Sequence, residues 1–140
     1  MNSSKHFYKF FILIIVLLIP FCISKCLKEK VESRPCNQPF SKWMSEDGTI
    51  SFEVNEKGAG YGTLTTADGI IDIYFATGSA KLIHIYRIID GEHYELIEWW
   101  NGDFNESYKF TAVVSQPTTY YKKGQKITFY RINEKLGTTL

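Results

Sequence analysis

From about residue 40 onward, short runs of apolar and β-branched residues are separated by Gly, Asp and Asn. Between Thr49 and Asn55 the apolar residues Ile50, Phe52 and Val54 occupy every second position, which is the period of a β-strand with one buried face. Seven or eight runs have this character. The predicted strands are Ser41–Ser45, Thr49–Asn55, Tyr61–Thr66, Ile70–Thr77, Leu82–Ile89, His93–Asn101, Tyr108–Ser115 and Lys126–Asn133.

Residues that favour tight turns stand between these runs at regular short intervals. They include Asp47-Gly48, Asp68-Gly69, Asp90-Gly91, Asn101-Gly102 and Lys123-Gly124. Short strands joined by such turns are typical of antiparallel barrels and sandwiches, and no helical periodicity follows residue 26. The sequence therefore predicts an all-β fold, namely a single small antiparallel β-barrel of seven to eight strands over residues 40–135, with a β-sandwich as the alternative.

The dipeptide Asp90-Gly91 makes the most specific local prediction. A two-residue Asp-Gly loop favours a type I′ turn, and that turn fixes the register of the two strands that it joins. Ile85 should then lie opposite Leu96, and Ile83 opposite Glu98, with all four on one face. This face is richer in aliphatic residues than the other, so we expect it to face the interior.

A Trp near the start of this region and an Arg near its end form a further pattern. Trp43 opens the first strand, and Arg131 shares a face of the last strand with Ile127 and Phe129. The pattern resembles the lipocalin and avidin-like barrels, where an Arg closes one end over a Trp ring, a contact worth about 0.5–2 kcal/mol. Ser41 stands where lipocalins usually have a Gly. The resemblance implies a lipocalin-like barrel closed by Trp43 and Arg131.

The same resemblance implies a small apolar or amphipathic ligand inside the barrel. Its expected apolar contacts are Phe52, Ile73, Phe75, Ile85, Leu96, Trp100 and Phe110, and its expected polar contacts are Arg87, Glu98 or Arg131. A short barrel can instead be filled by its own side chains. The alternative is therefore a surface interaction protein or inhibitor that uses loops such as Thr118–Gly124.

The first 25 residues have a different pattern. Lys5, His6 and Lys9 precede the apolar run Phe10–Ile23, which is interrupted only by Pro20. Positive residues followed by a short apolar run are typical of an export signal, and this run is shorter than the roughly 20 residues that a spanning helix needs. We predict a signal peptide over residues 1–25, with an uncleaved N-terminal anchor as the alternative.

The end of this signal bears on where the protein resides. The segment Ile23-Ser24-Lys25-Cys26 resembles the lipobox of bacterial lipoproteins, although Lys25 stands where a small residue is usual. The resemblance implies lipidation of Cys26 and an extracytoplasmic, membrane-anchored lipoprotein. Cleavage after Ser24 would instead release a secreted chain in which Cys26 and Cys36 could form a disulfide. Residues 26–39 are predicted to form a flexible tether, and residues 136–140 a disordered tail.

The charge balance and the spacing of Glu and His residues argue against several classes of function. The formal net charge is +1, and the chain after Lys25 has 13 basic and 15 acidic residues, which argues against nucleic-acid binding. Glu95 and Glu98 point to opposite faces of a regular strand, so they cannot act as one catalytic pair without a bulge. His84 and His93 would lie about 13 Å apart along the strand ladder, which is too far to share a metal ion.

We therefore expect a non-catalytic binding protein with no cofactor and no metal. The sequence contains no phosphate-binding Gly loop and no nucleotide motif. The expected partners are a small hydrophobic ligand or an envelope protein, together with the membrane through the lipid anchor, and not nucleic acid.

Overall fold

The computed structural model describes residues 31, 33–116 and 120–133. A short 3-10 helix, Pro35–Asn37, precedes eight strands. The strands are β1 (Lys42–Ser45), β2 (Ile50–Val54), β3 (Gly60–Thr66), β4 (Gly69–Thr77), β5 (Leu82–Ile88), β6 (Tyr94–Asp103), β7 (Lys109–Val114) and β8 (Lys126–Arg131). Each predicted run overlaps one of these strands, so the all-β prediction is confirmed.

The eight strands close into one barrel. Each strand pairs antiparallel with the next, and β8 pairs back with β1. The barrel prediction is confirmed, and the alternative of two stacked sheets is wrong, because the hydrogen-bonded ring has no second sheet.

The up-and-down connection places alternate turns at the same end of the barrel. We call the end with the turns β1–β2, β3–β4, β5–β6 and β7–β8 the mouth. The base is the opposite end, where the other three turns meet the residues that precede β1 and follow β8. The base is tied together by backbone hydrogen bonds from Phe40 to Val54 and from Ile132 to Lys42, each 2.8 Å long.

Aromatic and aliphatic side chains fill the interior. Phe52 stacks on Phe75 with ring centroids 4.1 Å apart, and Phe110 stacks on Phe129 at 4.7 Å. The alternation predicted from the sequence explains this packing, since every second residue of a strand faces inward. The largest fully buried side chains are Trp43, Trp100, Phe110, Phe129, Ile50, Leu64, Ile73, Ile83, Ile85, Glu98, Val54 and Val114.

The β5–β6 turn is longer than the sequence predicted. The Ile89 N–H donates to the His93 carbonyl at 3.1 Å, which leaves three residues in the loop rather than two. The Asp90 carboxylate accepts hydrogen bonds from the Glu92 and His93 N–H groups at 3.1 and 2.9 Å. A short Asp side chain that bonds the following amides favours this wider loop over the type I′ turn.

The longer turn changes the register of the two strands. Ile85 lies opposite Glu98 rather than Leu96, and Ile83 opposite Trp100 rather than Glu98. An irregularity at this point of the ladder adds a residue on β6 and returns the following side chains to their expected faces. Leu96, which was predicted to face the interior, is therefore on the outside and 43% exposed.

The folded region begins before residue 40. The Arg34 guanidinium donates to the Gly78 carbonyl at 2.9 Å and lies 4.5 Å from the centre of the Phe104 ring. Cys36 is a buried free thiol in the hydrophobic core, and burial raises its pKa to about 12. Packing against the barrel therefore starts within the segment predicted to be the tether.

The chain divides into two compact units, Met1–Lys30 and Val31–Leu140. The predicted signal peptide, the lipidation candidate Cys26 and the predicted tail 136–140 all lie outside the described residues. Among the residues that are described, no helix is long and apolar enough to cross a membrane.

Candidate functional site

The predicted ligand-contacting residues separate into an inner and an outer group. Phe52, Phe75, Ile85, Trp100 and Phe110 are all buried in the interior, together with Ile73. Their neighbours are one another: the Phe75 and Phe110 ring centroids, for example, lie 6.0 Å apart. Leu96 is the exception, because the β5–β6 register places it outside. The structure thus brings most of the predicted apolar set together as a packed core.

Two of the three polar candidates, Glu98 and Arg87, lie towards the mouth. Glu98 is 1% exposed, and its carboxylate accepts a 2.8 Å hydrogen bond from the indole N–H of Trp100. Arg87 donates from its guanidinium to the hydroxyl of Tyr120, while its Nε is buried without a hydrogen-bond partner in the described part of the chain. Both polar groups therefore contact aromatic side chains of the barrel.

The end of the β7–β8 loop folds over the mouth. The Tyr121 ring meets the Trp100 ring edge-on at 5.4 Å, and its hydroxyl lies 3.5 Å from the Thr49 hydroxyl. Burial raises the pKa of Tyr121. The sequence offered this loop as an interaction surface, whereas Tyr120 and Tyr121 are partly buried and pack against the core. Residues 117–119 of the loop lie outside the described residues.

A cleft of about 400 Å³ remains beside this loop. It lies between the β1–β2 turn, the β3–β4 turn and the loop tyrosines. Its lining residues are Asp47, Thr49, Leu64, Thr65, Thr66, Ala67, Asp68, Tyr120 and Tyr121.

The predicted Trp and Arg of the barrel closure are neighbours. Trp43 is fully buried and lies directly opposite Arg131 in the β1–β8 pair. The Trp43 indole N–H donates to the Ser41 hydroxyl at 3.0 Å, and that hydroxyl donates to the Gln38 carbonyl at 2.7 Å. Ser41, at the position where lipocalins usually have Gly, thus has a defined role in orienting Trp43. The closing role of Arg131 itself stays a prediction.

A second aromatic cluster lies on the outside of strands β3 to β6. Tyr61, Tyr74, Tyr86 and Leu96 are successive cross-strand neighbours in one row. The ring centroids of Tyr61 and Tyr74 are 5.2 Å apart, and those of Tyr74 and Tyr86 are 6.0 Å apart. Tyr94 meets Tyr74 edge-on at 5.6 Å.

A His–Trp contact extends this cluster. The rings of His84 and Trp99 lie 4.8 Å apart, and the His84 ring is 6.2 Å from that of Tyr86. We call the whole cluster the aromatic surface. Its members are Tyr61, Tyr74, His84, Tyr86, Tyr94 and Trp99.

The aromatic surface has few charges around it. Strands β3, β4 and β6 contain no Lys or Arg, and Arg87 of β5 is directed to the mouth through Tyr120. The outward-facing carboxylates are Asp72 on β4 and Asp103 at the end of β6, and Asp103 lies 3.8 Å from the Lys81 ammonium. Asp72 is thus an exposed charge two residues before Tyr74, and Glu53 of β2 lies directly opposite Tyr61.

The pKa values of two phenols of this surface, Tyr74 and Tyr94, are raised. Burial, together with the neighbouring Tyr61 and Tyr86, raises the pKa of Tyr74. A hydrogen bond with Tyr61 raises the pKa of Tyr94. Tyr74 and Tyr94 therefore offer uncharged rings and hydroxyl groups over the pH range in which proteins function.

Sequence reasoning missed the aromatic surface. The tyrosines occupy outward positions of four different strands, and only the register brings them side by side. Their recurrence in successive predicted strands was the available signal. Among the described residues, no group of three or more His, Cys, Asp or Glu side chains is placed to hold a metal ion.

Comparison with known proteins does not assign this chain to a family. No protein-family model, no curated protein and no solved structure matches this chain.

Proposed function

We propose that this protein is an exported, non-catalytic binding protein that recognises a partner with the outside of its barrel. The observation that carries the proposal is the contrast between a filled interior and an exposed aromatic cluster. Tyr61 and Tyr94 are 42% and 43% exposed, whereas the aromatic rings inside are at most 3% exposed. An interior ligand would have to displace packed side chains, and emptying a Phe-sized site costs about 3–5 kcal/mol.

The buried polar groups support a binding rather than a catalytic role. The Glu98 carboxylate is held by the Trp100 indole inside the wall, and Glu95 lies opposite Arg87 at the rim. Buried polar atoms need such partners for the fold alone. The stability of the fold is enough to account for the hydrogen bond between Glu98 and Trp100, and no catalytic role is needed to explain it.

The partner interaction is tested with the full mature protein, immobilised and exposed to a detergent extract of the cell envelope. The double variant Tyr61→Thr/Tyr86→Thr removes two rings and keeps residues that favour strands. Tyr130→Thr is the matched control, because Tyr130 is 38% exposed on β8, away from the aromatic surface. We expect the double variant to lose a specifically retained component that the control keeps.

Ligand uptake inside the barrel is the competing outcome. Titration with an apolar fluorescent fatty acid should show no saturable binding, because the interior is occupied by side chains. Saturable one-to-one binding that quenches Trp fluorescence, and that Trp100→Phe weakens while Tyr61→Thr does not, would contradict the proposal. It would restore the interior ligand implied by the lipocalin resemblance.

We propose that export and anchoring follow the N-terminal signal, with cleavage before Cys26 and lipidation of that residue. The intact mass of the protein recovered from membranes tests this. The expected mass is that of the chain from Cys26 plus a diacylglycerol group, and Cys26→Ala should lose that addition. An unlipidated chain starting at Lys25, two protons lighter than its reduced form, would instead indicate secretion and a Cys26–Cys36 disulfide.

A further inference from the structure

We propose that the aromatic surface binds cationic groups, the guanidinium and ammonium groups of Arg and Lys side chains on a partner polypeptide. This inference rests on the proposed surface-binding function and names the chemistry of its partner.

The arrangement of the rings is the first argument. Three cross-strand tyrosines, with Tyr94 edge-on to the central one, form a continuous layer of π systems with centroids 5.2–6.0 Å apart. The face of an aromatic ring carries partial negative charge and attracts cations placed over it. Several adjacent rings offer this attraction to one guanidinium from more than one side. A layer of this kind is therefore suited to an organic cation.

Asp72 supplies the second argument. It is exposed on the outward side of β4, two residues before Tyr74, and lies opposite Thr63 of β3. Among the described residues it forms no ion pair and no hydrogen bond. The neighbouring strand β3 has no basic residue, and the Arg87 guanidinium of the other neighbour, β5, is bonded to the Tyr120 hydroxyl. The Asp72 carboxylate beside the aromatic rings thus adds a full negative charge for a cationic group to approach.

The other side of the barrel supplies the third argument. Glu53 of β2 lies directly opposite Tyr61, and its carboxylate is 3.0 Å from the Lys42 ammonium, so the charges at that end of the tyrosine row are paired. Farther around the barrel, β7 carries Lys109, which is 3.3 Å from the Glu106 carboxylate, and β8 carries Lys126. Lys126 therefore disfavours a basic partner on that side, whereas strands β3 to β6 carry no Lys. Charge complementarity thus selects both the kind of partner and the side on which it docks.

The experiment is a calorimetric titration of the full mature protein with three synthetic peptides that alternate Gly with Arg, Ser or Glu. We expect the Arg peptide to bind more tightly than the other two, and more weakly as salt is raised. Tyr61→Thr/Tyr86→Thr should weaken binding about tenfold, and Asp72→Asn about threefold. Tyr130→Thr and Glu46→Gln, which alter the opposite side, should leave the affinity unchanged.

Asp72→Asn keeps the size of an exposed side chain, so we expect this variant to fold normally. A loss of affinity in this variant then reports the loss of the charge. If the Ser or Glu peptide binds as tightly as the Arg peptide with the same dependence on the tyrosines, the cation assignment is wrong and the surface function stands. If no peptide binds, or if the control variants weaken binding equally, the cation assignment is also wrong.

Two other kinds of partner, a second copy of this chain and a glycan, would each give a different experimental result. A sedimentation mass that rises with protein concentration, and falls in the tyrosine double variant, would make a second copy of this chain the partner and overturn the proposal. Oligosaccharides that displace the Arg peptide at equal concentration would overturn it in favour of a glycan. Loss of all dependence on the tyrosines, combined with saturable uptake of the fatty acid, would overturn the proposed function itself.

Discussion

The wall of this barrel carries one aromatic cluster on each side, built from many of the same strands. On the inside, pairs of rings stack nearly parallel, with interplanar angles of 8° for Phe52–Phe75 and 7° for Phe110–Phe129. On the outside, Tyr61 and Tyr74 are tilted by 43° and carry hydroxyl groups. The inner rings are excluded from water and stabilise the fold, whereas the outer rings remain partly exposed and available to a partner. Four substitutions separate these two roles.

The largest effect is expected inside, from Phe110→Ala. The Phe110 ring lies 4.7 Å from Phe129 and 5.2 Å from Trp43, so its removal leaves a cavity in the middle of the core. We expect the free energy of unfolding to fall by about 3–5 kcal/mol, measured by urea denaturation. A loss below about 1 kcal/mol would mean that the core collapses around the gap.

A smaller effect is expected from Trp100→Phe, which keeps a ring but removes the indole donor. Loss of that donor removes the 2.8 Å hydrogen bond to the buried Glu98 carboxylate. Weakening the partners of a buried polar group costs about 1–3 kcal/mol. The measurement is the free energy of unfolding, with Glu98→Gln as the companion variant because its amide oxygen still accepts the indole N–H. Equal stability of wild type and Trp100→Phe would show that this hydrogen bond is dispensable.

A pH-dependent effect is expected at the mouth, from Asp47 in the β1–β2 turn. Partial burial alone would raise its pKa, but hydrogen bonds from the Ser45 hydroxyl and from the Thr49 N–H and hydroxyl lower it. A lowered pKa stabilises the fold above the ordinary Asp value and loses that effect as the pH falls through the folded-state pKa. Asp47→Asn should therefore cost about 1 kcal/mol or less at pH 7.

The measurement for Asp47 is thermal unfolding of both proteins across the acidic range. The difference between wild type and Asp47→Asn should shrink as the pH falls below about 4. A difference that is constant with pH would show that the lost contribution is independent of ionisation.

The smallest effect on stability is expected outside, from Tyr61→Thr. The ring is 42% exposed, and Thr favours strands, so the free energy of unfolding should change by about 0.5 kcal/mol or less. Binding of the Arg peptide should nevertheless weaken. A large loss of stability would mean that the outer rings also hold the wall together, and the contrast between the two clusters would disappear.

The positions of the strands were predictable because each depends on local alternation. Ile50, Phe52 and Val54 alternate with polar residues, and all three are buried on β2 as expected. The β5–β6 register was not predictable from Asp90-Gly91 alone. The turn is decided by hydrogen bonds from two loop amides to the Asp90 side chain, and the sequence does not show which of two competing loop geometries forms.

The residues of the candidate site were likewise only partly predictable from the sequence. The burial of Trp100 and Glu98 followed from their expected strand face, although their partners across β5 were wrong. The aromatic surface was not predicted, since Tyr61, Tyr74 and Tyr94 are far apart in the chain and become neighbours only through the pairing of β3, β4, β5 and β6. Arg34 and Cys36 were likewise assigned to a tether because nothing local reveals their contacts with distant residues.

The sequence by itself determined the fold class, the approximate strand limits and the residues that must avoid water. These properties depend on a period of two and on turn-forming residues, which are local quantities. Only the tertiary structure decided the closure of β8 onto β1, the filling of the interior and the assembly of the aromatic surface. Each of these requires contacts between residues distant in the chain, and such contacts depend on the register and packing of the whole barrel.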